Sequence, residues 1–403
     1  MRSFKNLSLT AALISISVSA YAADPCAAIK AMTPEKLAAA VNDPNPEIQS
    51  CAIRAAGESR NELAAEALLA NVSEYQAASR SRGPFEDNLK ARLKAIDSIW
   101  SLGEIGSPKV MARLMKLYKG SDDTLKINIA VGAGKTKSKG AEDFLYGIAG
   151  NPSEDNVVRA AAYEMLGDRR GPAPDLSAKN GMEKGDIIFT GGVFGIPQDW
   201  IGDLPIGHVG LYGGTEVKDG KIVVVIYDCV PDNFKPYGGV RKIFSFTNFT
   251  HQNHYAFYGN RVPDKRPTAE QRDLIIKAAV SKLGHHYADA HFSQKGPDIF
   301  DCVGYAEYAY EAAGLNPTPN DQETGWGWPL TPAEQFAATF PNNRAGVEQT
   351  PAAGGTIIIP SQEIIVPQQA IITQAGAALQ NAFGLQVQDL PEVNMNIGFK
   401  AAN

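Results

Sequence analysis

Four stretches in the first 171 residues share one design, an apolar stripe at helical spacing that closes on glycine plus a charged residue. They are IQSCAIRAAGES (48–59), LKAIDSIWSLGEIGSPKVMARLMKLY (93–118), LKINIAVGAGKTKSKGAEDFLYGIAG (125–150) and VVRAAAYEMLGDRRG (157–171). The closing pairs Gly57-Glu58, Gly103-Glu104, Gly134-Lys135 and Gly167-Asp168 recur at intervals of 46, 31 and 33 residues. The polar insert SRSRGP (79–84) accounts for the longer first interval. Leu93, Ile96, Ile99 and Trp100 fall three or four apart, which predicts one buried stripe. Glycine after the last periodic residue predicts a left-handed helix cap. A period near thirty in paired helices predicts stacked units with a continuous core, here over residues 23–170.

GPAPDLSAKNG (171–181) breaks that period with Pro, Gly and Ser, so 171–182 reads as a linker. Beyond it come strand-like runs: DIIFTGG (186–192), HVGLYGG (208–214), KIVVVIYDC (221–229) and HYAFYGNR (254–261). Two helical patterns follow, TAEQRDLIIKAAVSKLG (268–284) and FDCVGYAEYAYEAAGL (300–315). Strand and helix are segregated rather than alternating, which predicts an α+β domain over 183–343. The remainder, 344–403, carries no Lys or Arg from Ala345 to Phe399 and includes TIIIP and EIIVP. That composition suits short edge strands or an arm that binds a protein partner.

The first 22 residues have a basic head (Arg2, Lys5), an apolar middle from Leu7 to Val18 and Ala20-Tyr21-Ala22 at the end. This is the pattern of a cleavable signal peptide, and it predicts an exported protein, periplasmic or secreted. No later segment reaches the length of apolar sequence that spans a bilayer. A net charge of −6 without any basic run argues against nucleic acid as partner.

Export permits disulfides. The four cysteines are Cys26, Cys51, Cys229 and Cys302. Cys26 lies at the mature N-terminus and Cys51 in the first strong helical pattern, so a bond between them would staple a fraying end. Cys229 and Cys302 then either form a second disulfide or remain thiols. Cys302 follows Asp301, a natural N-cap, at the start of a helix. First-turn N–H groups and the helix dipole favour a thiolate there and predict a lowered pKa. A nucleophilic thiol needs a base, and His208 at the head of HVGLYGG is offered at a fixed place on a sheet edge. Asp228 ends the next strand, where a carboxylate would orient the imidazole, with Asp232 as the alternative. His251 and His254 read as loop residues. HHYADAH (285–291) has neither cysteine nor His-Glu-x-x-His spacing, so no metal or other cofactor is expected. Tyr287, Trp200 and the two tryptophans of GWGW, Trp326 and Trp328, are candidates for lining a substrate groove.

These residues carry a resemblance. KLGHHYADAHFSQKGPDIFDCVGYAEYAYEAAG (282–314) resembles the Gly-x-x-Tyr…Asp-Cys-Ser-Gly…Tyr…Ala-Gly signature of NlpC-type cell-wall cysteine peptidases, with Val303 where serine is usual. KGDIIF (184–189) followed by GHVGLYGG (207–214) resembles that family's Gly-Asp strand and its histidine strand. The order is reversed, since the histidine strand precedes the cysteine helix and no histidine follows His291. The chain is therefore similar to the circularly permuted branch, which includes YiiX-like proteins and the lecithin–retinol acyltransferase group. The resemblance implies a papain-like fold over 183–343 with Cys302 as nucleophile, His208 as base and Asp228 as orienting group. It also implies cleavage of amide bonds in peptidoglycan peptides. The lipid-acting members of the branch make a lipid or thioester acyl hydrolase the alternative, and an inactive scaffold that only binds is a further one. Over 27–170 the chain resembles HEAT-type repeats, a class that binds or positions partners.

Overall fold

Short polar side chains start the helices of the first half. Thr33, Asn45, Asp122, Ser138 and Asp155 each accept a backbone N–H from the turn that follows, satisfying donors that the helix itself leaves unpaired. The computed structural model describes residues 26–79, 85–167, 176, 181–192, 205–234, 237–288, 295–319 and 330–341. Nine α-helices precede the sheet among these residues: α1 (Ala27–Lys30), α2 (Pro34–Ala40), α3 (Pro46–Glu58), α4 (Ala65–Ala78), α5 (Phe85–Ile105), α6 (Pro108–Leu117), α7 (Asp123–Thr136), α8 (Lys139–Ala149) and α9 (Asn156–Leu166). A disulfide joins Cys26 to Cys51 and ties the chain before α1 onto α3. None of the described helices is long and apolar enough to cross a membrane.

The recurring glycines do not act as the expected left-handed helix caps. Gly57, Gly103 and Gly134 lie inside α3, α5 and α7, and only Gly167, at φ +63°, leaves its helix through positive φ. A Cβ at Gly57 would lie 2.7 Å from the Cα of Ser101, and one at Gly103 would lie 2.8 Å from the Cα of Gly132. Gly57 and Gly103 thus mark where neighbouring helices meet at backbone contact, while a Cβ at Gly134 would clash with the Met165 side chain. The stripe of α5 is buried at Leu93, Ile96 and Ile99. Trp100 is only half-buried and turns toward the second half of the molecule.

The sheet half comprises β1 (Ile187–Thr190), β2 (His208–Lys218), β3 (Lys221–Val230), β4 (Gly239–Ile243), α10 (Phe246–Phe249), β5 (Phe257–Val262), α11 (Ala269–Ser281), β6 (His286–Tyr287), β7 (Ile299–Phe300), α12 (Cys302–Glu311), α13 (Pro332–Ala338) and β8 (Phe340–Pro341). Six strands form one antiparallel sheet in the order β4-β3-β2-β1-β5-β8, while β6 and β7 pair in parallel apart from it. Helices and an antiparallel sheet make the molecule mixed α+β. The glycines of HVGLYGG do not end β2, because the strand passes a register shift between Tyr212 and Gly214 and runs on to Lys218. Such a bulge bends a strand without ending its pairing. Both faces of β3 are buried from Val224 to Val230, with α9 and α12 packed against it.

The two halves share one hydrophobic core, and the described residues fall within a single unit, Ala22–Ala345. Their polar seam is satisfied in detail. The Asn128 amide on α7 both donates to and accepts from the backbone of Phe257, at 2.7 and 3.0 Å. Glu164 on α9 accepts the N–H groups of Phe246 and Thr247, at 2.8 and 2.7 Å, and so caps α10. Tyr258 donates to the half-buried Asp97 side chain on α5. Most of the expected linker, together with residues 1–22 and 344–403, lies outside the described residues.

Candidate active site

β2 opens at His208 and pairs with β3 so that Gly210 faces Asp228. His208 is therefore the diagonal neighbour of Asp228 on the same face, within reach of a long side chain. Its Nε2 lies 3.0 Å from Asp228 Oδ2. Gly210 is required between them, because a Cβ there would lie 2.8 Å from the Phe249 ring, which packs 5.2 Å from the imidazole. On β4, Arg241 stands directly opposite Asp228. Its Nε and Nη2 donate to the two carboxylate oxygens at 2.7 and 3.0 Å, a two-point grip that fixes the carboxylate plane. His208 and Asp228 are fully buried and Arg241 nearly so.

α12 brings the thiol to this row. Asp301 caps the helix by accepting the Gly304 N–H at 2.7 Å, as the sequence predicts. The Cys302 sulfur meets the backbone N–H groups of Val209, the residue after His208, and of Val303. Cys229 is a neighbour rather than a partner: both thiols are free, and Cys229 donates to the Phe300 carbonyl at 3.1 Å. The fold thus collects Cys302, His208 and Asp228 around the start of β2.

The electrostatics depart from one expectation. Burial, and then the Asp301 carboxylate, push the Cys302 thiol up rather than down, against the two N–H groups on the sulfur. Complete desolvation outweighs the favourable helix start. Burial also lowers the His208 pKa, although the Asp228 hydrogen bond and charge work the other way. Burial alone would raise Asp228, but the Arg241 charge and the His208 and Arg241 hydrogen bonds hold its carboxyl at about 2. Burial thus favours the neutral forms of the Cys302 thiol and the His208 imidazole, while Arg241 favours the charged form of Asp228.

His251 belongs to the same neighbourhood. It sits in a turn, as expected, yet its ring packs 5.3 Å from His208, 5.2 Å from Phe234 and 5.7 Å from Tyr255. Burial and the neighbouring His208 lower its pKa to about 3. Three successive residues, His251, Gln252 and Asn253, have φ of +52°, +61° and +60°, a left-handed run that non-glycine residues adopt at a cost of about 1–2 kcal/mol each. The helical half holds this turn in place. The Asn253 carbonyl accepts from Trp100 Nε1 on α5 and Lys135 Nζ on α7, both at 3.0 Å.

Asp232 has a different task from orienting His208. Its oxygens accept from the Tyr287 N–H and meet His286 Nδ1, both at 2.9 Å, which ties β6 down. His285 Nδ1 lies 3.0 Å from the Asp298 carbonyl. Tyr287 is buried in the hydrophobic core. Trp200, Trp326, Trp328 and His291 lie outside the described residues. Arg241, His251 and Trp100 are the members that sequence reasoning did not assign to the site. A signal existed only for Arg241, in the strand-like GVRKI run that follows IVVVIYDC after a glycine pair. Comparison of the chain with family models, with curated proteins and with solved structures finds no match.

Proposed function

We propose that the protein is an exported cysteine hydrolase that cleaves amide bonds in peptidoglycan stem peptides through a thioacyl–enzyme. In this reading the first half is a HEAT-like stack and the second a permuted papain-like domain, as the motifs around His208 and Cys302 suggest. The observation that carries the proposal is the buried row Arg241–Asp228–His208, which ends one residue from the N–H that meets the Cys302 sulfur.

His208 Nδ1, the nitrogen that Asp228 does not hold, takes the Sγ proton as sulfur attacks the scissile carbonyl carbon. Asp228 keeps the ring in the tautomer with its proton on Nε2 and stabilises the imidazolium that forms. The Cys302 backbone N–H, at the start of α12, is the donor offered to the developing oxyanion. Collapse of the tetrahedral adduct breaks the C–N bond, and the imidazolium proton leaves on the amine. Water, deprotonated by His208, then hydrolyses the thioester and returns the thiol. Because the resting thiol is neutral, proton transfer accompanies attack instead of preceding it.

Incubation of the purified protein with soluble muropeptides, in parallel with acyl esters and thioesters, followed by mass spectrometry, tests the proposal. The expected result is cleaved peptide and, on rapid quenching, a peptidyl mass increment on Cys302. Acyl transfer from the lipid substrates without peptide cleavage would replace this reading with the lipid one.

A further inference from the structure

A cleft of about 610 Å³ opens between the helical half and the turn that carries His251. Arg54, Glu58, Trp100 and Glu104 line it from α3 and α5, and His251 and Tyr255 line it from the other side. Its size falls within the usual range for small-ligand sites. Its position is more telling, because His251 borders the cleft and also packs 5.3 Å from His208. One ring separates the cleft from the catalytic base.

Arg54 is set up as a receptor on this wall. Its guanidinium lies 4.7 Å from the Tyr255 ring centroid and 5.6 Å from that of Trp100. Its Nε is held by Glu58 at 3.0 Å. The two aromatic rings and one anchored nitrogen restrict the plane of the fork and leave its Nη groups as further donors. The side chain is 40% exposed, so that group can reach it. A planar guanidinium in such a mount matches a carboxylate. Glu58 and Glu104 on the same wall are suited to an ammonium or to peptide N–H groups. An acyl chain would have to desolvate all three charged side chains without replacing their hydrogen bonds.

We propose that this cleft binds the peptide substrate, with Arg54 gripping a substrate carboxylate, so that the helical half supplies one wall of the substrate site. This rests on the reading of Cys302 and His208 as a peptide-cleaving pair and adds the source of its specificity. The helical half then selects the chain that the sheet half cuts.

The test uses binding, which does not require turnover. Full-length Cys302→Ala is titrated with a soluble cell-wall tetrapeptide bearing free carboxylates, and with the same peptide amidated at those groups, by calorimetry. The free-acid peptide is expected to bind about tenfold or more tighter than the amide, the worth of a charged hydrogen-bonded pair. Cys302→Ala/Arg54→Gln is expected to lose that difference, and Cys302→Ala/Arg54→Lys to keep part of it. Unfolding midpoints measured alongside separate lost binding from lost fold. Equal affinity for the two peptides, an Arg54→Gln effect that is the same for both, or tighter binding of a medium-chain acyl ester would overturn the proposal. Peptide cleavage by the wild type together with unchanged binding by the Arg54→Gln protein would sink the cleft alone and leave the catalytic reading standing. Carboxylate-selective binding without any cleavage would do the reverse.

Discussion

His208 Nε2 lies 3.0 Å from Asp228 Oδ2 across two antiparallel strands, with Arg241 gripping the far side of the same carboxylate. The three side chains come from three successive strands and share one buried face. Asp228→Asn should reverse the hydrogen-bond preference of the ring, lowering kcat by about 10²–10⁴-fold, and it should also cost stability by leaving the buried Arg241 cation without its anion. Arg241→Met should instead act mainly on stability, because it leaves a buried carboxylate without its cation, at a cost of about 3–5 kcal/mol. Steady-state kinetics and denaturant unfolding on both variants separate the two roles.

The pH profile follows from burial. His208 serves as a base only when neutral, and its pKa lies below the ordinary 6.5. The acid limb of kcat/KM should therefore lie below pH 6.5, with the rate flat through neutrality. The Cys302 thiol is pushed above its ordinary 9.0, so no thiolate should form in the neutral range. An acid limb centred well above pH 7 would contradict this assignment of the base.

Thiol chemistry distinguishes the two free cysteines from the disulfide pair. Two thiols should be titrated after unfolding without reductant, one at Cys229 and one at Cys302. In the folded protein both should react slowly with iodoacetamide, because each is buried and raised in pKa. Cys302→Ala should abolish turnover while shifting the unfolding midpoint little. A single thiol pair recovered as a Cys229–Cys302 disulfide from native protein would remove the nucleophile.

The left-handed turn at 251–253 depends on α5 and α7 for its anchors. Trp100→Phe removes the indole donor to the Asn253 carbonyl, and Lys135→Met removes the ammonium. Each should lower kcat several-fold by loosening His251 against His208, with global stability falling by only about 1 kcal/mol. Kinetics combined with thermal unfolding is the check. Wild-type kcat in both variants would show that the turn holds its place without the helical half.

Glu307, buried on α12, offers a stability test away from the reaction. Burial raises its pKa to about 7, against hydrogen bonds from Thr318 and Gln335. Folded protein then holds this proton up to about 7, while the unfolded chain releases it near the ordinary 4.5. Stability from this group is complete below pH 4.5 and falls as pH rises to 7, by up to about 3 kcal/mol. Glu307→Gln should lack that decline and be the more stable protein at pH 8 in urea unfolding.

Much of this architecture is legible in local sequence, because local rules govern it. Apolar period and capping side chains place the helices, as Asp301 before Cys302 and Thr268 before α11 illustrate. Alternation and turn residues place β1, β2, β3 and β5, with His208 at the start of β2 and Asp228 two residues before the end of β3. Tertiary structure alone decided the rest. Interior glycines reveal themselves as helix-contact points only once Ser101 and Gly132 lie against them. Arg241 joins the site through strand register, which pairs residues that no local pattern links. Trp100 and Lys135 reach Asn253 across more than a hundred residues of sequence, and the raised thiol of Cys302 follows from desolvation. Spacing and cap chemistry are properties of a segment, so they can be read along the chain. Burial, register and the fields they create belong to the packed whole, because they depend on which distant segments exclude water from one another.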